Sequence, residues 1–322
     1  MKTIVIIGAG QLGSRHLQGL GTCLQPLSIH LLDPSAESLE RARSRFAEVD
    51  GATVRHTLHV ATRVQELPRQ VDLAISATTA DIRLASLRPL LAHAKVANLI
   101  LEKVLFQTLV DYDDARTLLD TSKSRTWVNC PRRMFPFYAG LKEFFGDDAP
   151  TLMQVTGSNW GLGCNGVHFS DLFAFLTGNS ELHYDTGMLD PQVYPSKRSG
   201  FFEIAGTLVG RHAGAQLELQ STMNGSGRHL ILLRAANKAA LVDEVSGVAR
   251  LLRGDGTWSE EHFQVPYQSQ LTGQAADDIL NGRPVPLPNF ETSARIHIAL
   301  LTPLLAHFNR VTGQHLTACP IT

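Results

Sequence analysis

Near the start of the chain, the residues Gly8-Ala9-Gly10-Gln11-Leu12-Gly13 have the types and spacing to hold a pyrophosphate. An apolar run from Thr3 to Ile7 precedes them, and a helix-compatible stretch to about Gly19 follows. In that context a GxGxxG turn has a mechanical reading. Gly8 makes the tight turn, Gly10 lets a phosphate approach the backbone, and Gly13 lets helix and strand pack closely. Gln11 and Leu12 belong to the first helical turn, whose free N–H groups attract an anion. Asp33 stands about twenty positions on, after a second apolar run from Ser28 to Leu32. There its carboxylate accepts hydrogen bonds from both hydroxyls of an adenosine ribose and repels a 2′-phosphate, which argues for NAD over NADP. The plainer alternative for Asp33 is a helix cap.

Hydride transfer between such a cofactor and an alcohol carbon requires a base for the hydroxyl proton. Lys103 is the first candidate, because it follows a predicted strand from Ala97 to Leu101, and ligand sites in α/β sheets form at carboxyl ends. The alternative is a surface lysine. Glu102 stands beside it and is a candidate to bind the cofactor or to orient the lysine, although neighbours on a strand point to opposite faces. His168 is the second candidate, with Asp171 one turn on along an expected helix from His168 to Leu176. A capping or core histidine is the alternative. Asp171 orients His168, binds a substrate hydroxyl or caps the helix. Arg132 and Arg133, like Lys197 and Arg198, either clamp an anionic substrate or are solvated surface charge. The four cysteines have no CxxC or Cys/His metal spacing, so a metal-independent reaction is expected.

The elements that position these residues alternate. Beyond the first two strands, Ala52 to His56, Val71 to Ser76 and Thr126 to Asn129 read as further strands. Helices are expected after Pro34-Ser35, with Ser35 as N-cap, and over Asp81 to Ala94 and Tyr112 to Lys123. This rhythm predicts an N-terminal Rossmann domain with a doubly wound parallel sheet, residues 1–128. The texture changes near residue 130. Thr151 to Asn159, Phe201 to Val209, Ala215 to Thr222, His229 to Ala235 and Ala239 to Asp243 read as strands, with a hairpin turn at Asn224-Gly225. Residues 129–322 are therefore expected to form a C-terminal α+β domain with an open, largely antiparallel sheet, closed by a helix from Glu291 to Asn309.

With these motifs the chain resembles the Gfo/Idh/MocA family of sugar oxidoreductases over most of its length. Gly8 to His16 matches the family's GxGxxGxxH opening, and Asp72 to Thr78 resembles its fourth-strand segment. Glu102-Lys103 matches the start of its Glu-Lys-Pro motif, and Asn165 to Asp171 is similar to its Gly-x-His-x-x-Asp segment. The resemblance implies that Thr78 lies beside the nicotinamide half, that Lys103 is the base and that His168 assists. By type and position, Asn159, Trp160 and Asn165 suit a sugar face, and Asn165 and Asp171 are candidates to bind substrate. Three residues depart from the pattern. Val104 replaces the proline, which often carries a cis bond in the family; Cys164 replaces an Asp; and Arg83 stands where many members have His.

The 322 residues have a formal net charge of −1, so no general attraction to nucleic acid or anionic membrane follows. The opening apolar run is only strand-length, which does not suit a signal peptide, and no stretch reaches the roughly 20 apolar residues of a membrane helix. A reduced, cytoplasmic protein is expected. The expected function is NAD-dependent oxidation of a sugar or sugar-derivative hydroxyl, nucleotide-linked or acidic, in a homodimer or homotetramer paired through the second domain's sheet. Two other readings stay open: a cofactor-binding regulator without catalysis, and an enzyme that retains and recycles NAD, as in epimerisation or elimination.

Overall fold

The computed structural model describes all residues from Met1 to Thr322. The chain divides into two compact units. One comprises residues 1–106, 110–131 and 266–290; the other comprises 107–109, 132–265 and 291–322.

The first unit is built on short, β-branched apolar segments that are buried on both faces, the mark of a parallel sheet covered by helices. Its strands are β1 (Lys2–Ile7), β2 (Leu27–Leu32), β3 (Thr57–Ala61), β4 (Gln70–Val71), β5 (Leu73–Ser76), β6 (Lys95–Val96), β7 (Asn98–Leu101) and β8 (Arg125–Val128). Six form one parallel sheet in the order β3-β2-β1-β5-β7-β8, while β4 and β6 pair separately. Counted alone, those six strands have the doubly wound order 3-2-1-4-5-6, with the topological switch between β1 and β5. Helices Gln11–Leu20, Ala36–Ala47, Arg83–His93 and Leu109–Ser122 alternate with the strands. Ser35 caps the second of these, its Oγ accepting the Ser38 N–H at 3.2 Å. One expectation fails: Ala52–Arg55 is a helical turn, entered through left-handed Gly51, and the strand begins only at Thr57. Gly51 supplies the φ of 67° that starts the turn, and the alternation that marks a strand starts one turn later.

Helix Gln268–Leu280 also belongs to this unit and packs against helix Gln11–Leu20. The approach is close enough that a Cβ on Gly19 would lie 2.7 Å from the Ser269 carbonyl.

The second unit carries an eight-stranded sheet. Its strands are β9 (Leu152–Ser158), β10 (His183–Leu189), β11 (Tyr194–Pro195), β12 (Phe202–Glu203), β13 (Gly206–His212), β14 (Ala215–Thr222), β15 (His229–Arg234), β16 (Ala239–Asp243), β17 (Val248–Leu252) and β18 (Trp258–His262). The order is β10-β13-β14-β9-β15-β16-β17-β18, antiparallel except where β9 meets β14; β11 and β12 pair apart from it. Period-two patterning divides the faces. Met153, Val155, Leu217, Leu219, Ile231 and Leu233 are fully buried on one. Leu230 and Leu241 are 41% and 38% exposed on the other. The buried face is covered by helix Leu162–Thr177, with Gly166 close to both Leu219 and Leu300 of helix Phe290–Thr312.

Asn224-Gly225 is not a hairpin turn. β14 and β15 lie on opposite sides of β9, so the segment crosses over it. The tight hairpin is instead His212–Ala215, between β13 and β14, where Ala213 and Gly214 both have positive φ. That is the backbone a two-residue turn requires. No helix is long and apolar enough to cross a membrane.

Candidate cofactor and catalytic residues

The glycine turn joins β1 to helix Gln11–Leu20 in the first unit. Gly8 adopts φ +94°, and its N–H donates to the Leu32 carbonyl at 2.8 Å, tying the turn to the end of β2. A Cβ on Gly13 would fall 1.8 Å from the Gly8 carbonyl oxygen, so only glycine lets the helix start this close to the strand. Gly10 is the N-cap residue; no side chain caps the helix, and a Cβ there would meet nothing within 4 Å. An open, uncapped helix N-terminus at a sheet's switch point is the geometry that receives a phosphate.

Asp33 faces this turn. Its carboxylate accepts the Ala9 N–H at 2.7 Å on one oxygen and the Ser35 N–H at 2.8 Å on the other. Ser35, not Asp33, supplies the cap of helix Ala36–Ala47. Each carboxylate oxygen retains lone-pair capacity for a ribose hydroxyl. The turn and the acidic residue are thus one hydrogen-bonded assembly.

The ends of β5 and β7 come next along the same edge of the sheet. Thr78 follows β5, with its hydroxyl 3.4 Å from those of Ser76 and Ser86. Glu102 follows β7 and is buried. It accepts from His16 Nε2 at 2.8 Å and from the Asn129 amide. His16 Nδ1 lies 2.9 Å from Thr272 Oγ1, and Asn129 donates to Gln268 at 2.9 Å. Burial raises the Glu102 carboxyl, but the His16 hydrogen bond and charge, the Asn129 hydrogen bond and the Arg83 charge outweigh it and hold it below the ordinary value. This buried network joins the glycine-turn helix, the ends of β7 and β8 and helix Gln268–Leu280. Lys103 is half-buried and begins the turn after β7; its peptide bond to Val104 is cis. Val104, Leu105 and Phe106 are buried behind it.

Arg83 is a residue that motif reading does not assign. It opens helix Arg83–His93 and donates to the carbonyls of Thr78, Val104 and Leu105. The one sequence signal is that it stands where many members of the resembling family have His.

In the second unit, helix Leu162–Thr177 carries Asn165, His168 and Asp171 at i, i+3 and i+6, a spacing that aligns them along one face. The helix begins six residues before His168, so Asp171 lies mid-helix and is not its cap. Asp171 is fully buried and takes both of its bonds from Arg133, at 2.7 and 2.8 Å. Burial raises its carboxyl against the opposing pull of Arg133. The side-chain amide of Asn165 donates to the Trp160 carbonyl at 2.7 Å and braces the turn entering the helix. His168 is half-buried.

Arg132, expected as an anion clamp, forms a two-pronged pair with Glu244 at 2.7 and 2.9 Å and lies over the Phe169 ring at 4.4 Å. Glu244 also accepts from Tyr138 at 2.7 Å and from His229 at 3.2 Å. Burial raises the Glu244 carboxyl, but Arg132 and these hydrogen bonds hold it well below the ordinary range. Both guanidiniums are therefore neutralised by carboxylates. Partners 38 and 112 residues away leave no local pattern, and Glu244 carries no motif of its own.

No known family model matches the chain, and no curated protein matches it in sequence. Solved structures do. UDP-N-acetylglucosamine 3-dehydrogenase GnnA from Acidithiobacillus ferrooxidans is similar with a TM-score of 0.71 and 16% identity, over 96% of this chain and 99% of that one. An oxidoreductase from Agrobacterium radiobacter in complex with NAD+, L-tartaric acid and magnesium gives 0.68 and 14%, over 93% and 94%. A 3-ketoreductase from Actinomadura kijaniata in complex with TDP-benzene and NADP gives 0.69 and 13%, over 93% and 95%. At these identities the likeness establishes the fold: a parallel, helix-covered sheet followed by a mixed, mostly antiparallel one.

Proposed function

We propose that this chain is an oxidoreductase of the Gfo/Idh/MocA type that uses NAD(H) to oxidise a hydroxyl of a sugar or sugar derivative, or to reduce the corresponding ketone. One observation carries the reading: the uncapped glycine turn and the Asp33 carboxylate form one hydrogen-bonded assembly at the carboxyl edge where Lys103 also emerges. The residues fit a dinucleotide. Gly10 leaves the turn open, the amides of Gln11, Leu12 and Gly13 face the phosphates, and Asp33 receives the ribose hydroxyls. Two of the solved structures hold NAD+ or NADP, and two are named as a dehydrogenase and a ketoreductase, which supports the class. Asp33 supports NAD over NADP.

When bound, the nicotinamide ring accepts or returns a hydride. Lys103 takes the hydroxyl proton as base and returns it in the reverse direction. His168 assists by hydrogen bonding to the substrate, and Thr78 lines the nicotinamide end. Asp171 and Arg133 act as a buried pair that holds the His168 helix, and Arg132 with Glu244 braces the segment before it. Recognition of an anionic substrate by these two arginines has no support in their pairing. On this count a neutral sugar fits better than a uronate or a nucleotide-linked sugar, both of which are anionic.

The test is an NADH and NADPH titration followed by NADH production over a panel of sugars and nucleotide sugars. Tighter NADH than NADPH binding, with turnover that Lys103→Met abolishes while keeping NADH affinity, is the expected result. Absence of binding to either cofactor overturns the proposal. Binding without turnover on the whole panel favours a regulator, and NAD co-purifying with the protein favours a recycling enzyme.

The exposed face of the large sheet carries Leu230 and Leu241 among Thr156, Gln154 and Gln220, a surface suited to a second copy of the chain. A dimer or tetramer by light scattering at micromolar concentration is expected, and a monomer contradicts it.

A further inference from the structure

Arg83 is the one lysine or arginine that is fully buried, at 1% exposure, and no carboxylate contacts it. Its two terminal nitrogens donate to three backbone carbonyls: Thr78 on one, and Val104 and Leu105 on the other, the Leu105 bond being 2.6 Å. Nε is buried without a partner. Holding a guanidinium away from water with no carboxylate in direct contact is costly, and the more distant charges of Glu102 and Asp81 offset only part of that cost. Burial draws its pKa down to about 10, which still leaves it charged at neutral pH. A side chain that only filled space beside the buried Leu84, Leu87 and Leu90 of this helix would be apolar. The charge therefore serves the carbonyls.

Those carbonyls belong to two turns. Thr78 lies in the turn after β5, and Val104 and Leu105 lie in the turn after β7, the strand paired with β5. Val104 follows Lys103 directly. Anchoring two successive carbonyls fixes the peptide planes just beyond the lysine and joins them to the turn carrying Thr78. A guanidinium suits this because its planar fork presents several N–H groups in fixed directions, which an ammonium does not.

We infer that Arg83 is a positioning residue, locking the Lys103 turn against the Thr78 turn so that the lysine amine is held in register for proton transfer. This rests on the oxidoreductase reading above. It predicts a defect in rate, not in cofactor binding, because the glycine turn and Asp33 lie on other strands.

The experiment compares Arg83→Met and Arg83→Lys with the wild-type full chain by NADH titration, by hydrogen exchange of residues 102–107, and by kinetics on whichever panel sugar the wild type oxidises. Arg83→Met should bind NADH within about threefold of wild type, exchange about tenfold faster at 104–106, and lose about 30- to 100-fold in kcat with KM little changed. Arg83→Lys should fall between. Wild-type kcat and exchange in Arg83→Met overturn the inference. So does a parallel loss of NADH affinity, thermal stability and kcat, the signature of a merely structural residue. If Arg83→Met does not fold, Arg83→Lys carries the test: a drop of about tenfold in kcat at unchanged KM supports the inference, and wild-type kinetics refute it. If the wild type oxidises no sugar, the functional reading fails on its own, and exchange with NADH affinity still decides whether Arg83 locks the turn.

Discussion

Asp33→Ala perturbs the one side chain that joins the glycine turn to the proposed ribose site. The carboxylate holds the Ala9 and Ser35 N–H groups at 2.7 and 2.8 Å. Both hydrogen bonds are part-buried, so losing the acceptor carries a folding penalty of about 1 kcal/mol. The cofactor penalty is larger. Two hydrogen bonds from ribose hydroxyls to a charged group contribute about 1.5–3 kcal/mol each. The lower end applies, because the same oxygens already serve two amides. A loss of about 3 kcal/mol corresponds to NADH binding about 150-fold more weakly. NADPH loses nothing comparable, since its 2′-phosphate no longer meets a carboxylate; its affinity should stay level or rise. The NADH-to-NADPH preference should therefore fall by about two orders of magnitude. Fluorescence titration with both cofactors reads this, with a thermal melt to confirm folding. A folded Asp33→Ala protein that binds NADH within threefold of wild type refutes the reasoning.

Gly13→Ala should abolish NADH binding or lower stability by more than about 2 kcal/mol, because its Cβ meets the Gly8 carbonyl at 1.8 Å; a melt and a titration check it. Glu244→Gln leaves Arg132 buried without its anion and should cost about 3–5 kcal/mol near neutral pH, read by urea unfolding. Because Glu244 and Glu102 titrate below their ordinary values in the folded chain, their contribution is complete above about pH 4.5 and is lost as pH falls further. The Glu244→Gln deficit should therefore shrink in acid, and a deficit that grows instead contradicts the assignment. Burial depresses His30, His56 and His307, so the unfolded chain takes up their protons first and the melting temperature should drop as pH falls below about 6.5. His16→Ala removes the buried partner of Glu102 and should cost about 3 kcal/mol, checked by the same unfolding curve.

Local pattern carried much of the reading. The run from Thr3 to Asp33 announces strand, turn, helix and second strand through residues whose neighbours in sequence are also their neighbours in space. Period-two alternation likewise announced most strands of the second unit. What local pattern misses has a common cause in distance along the chain. Gln268–Leu280 packs against Gln11–Leu20, and the Gly19 contact that permits it is invisible from either segment alone. Helix Leu162–Thr177 starts earlier than propensity suggests because Gly161, Gly163 and Gly166 weaken the local helical signal while close packing favours them. Arg132, Arg133 and Asp171 are visible as charges, but their destinations depend on partners far along the chain. The contacts of Glu102 are hidden for the same reason, since His16 and Asn129 stand 86 and 27 residues away from it.

The most direct measurement is a crystal structure with NAD+ and a sugar-like ligand. The account predicts the pyrophosphate against the amides of Gln11 to Gly13, both ribose hydroxyls within hydrogen-bond reach of Asp33, and Lys103 Nζ within about 3–3.5 Å of the ligand hydroxyl next to nicotinamide C4. A dinucleotide bound away from the glycine turn, or Lys103 directed away from the nicotinamide, contradicts it.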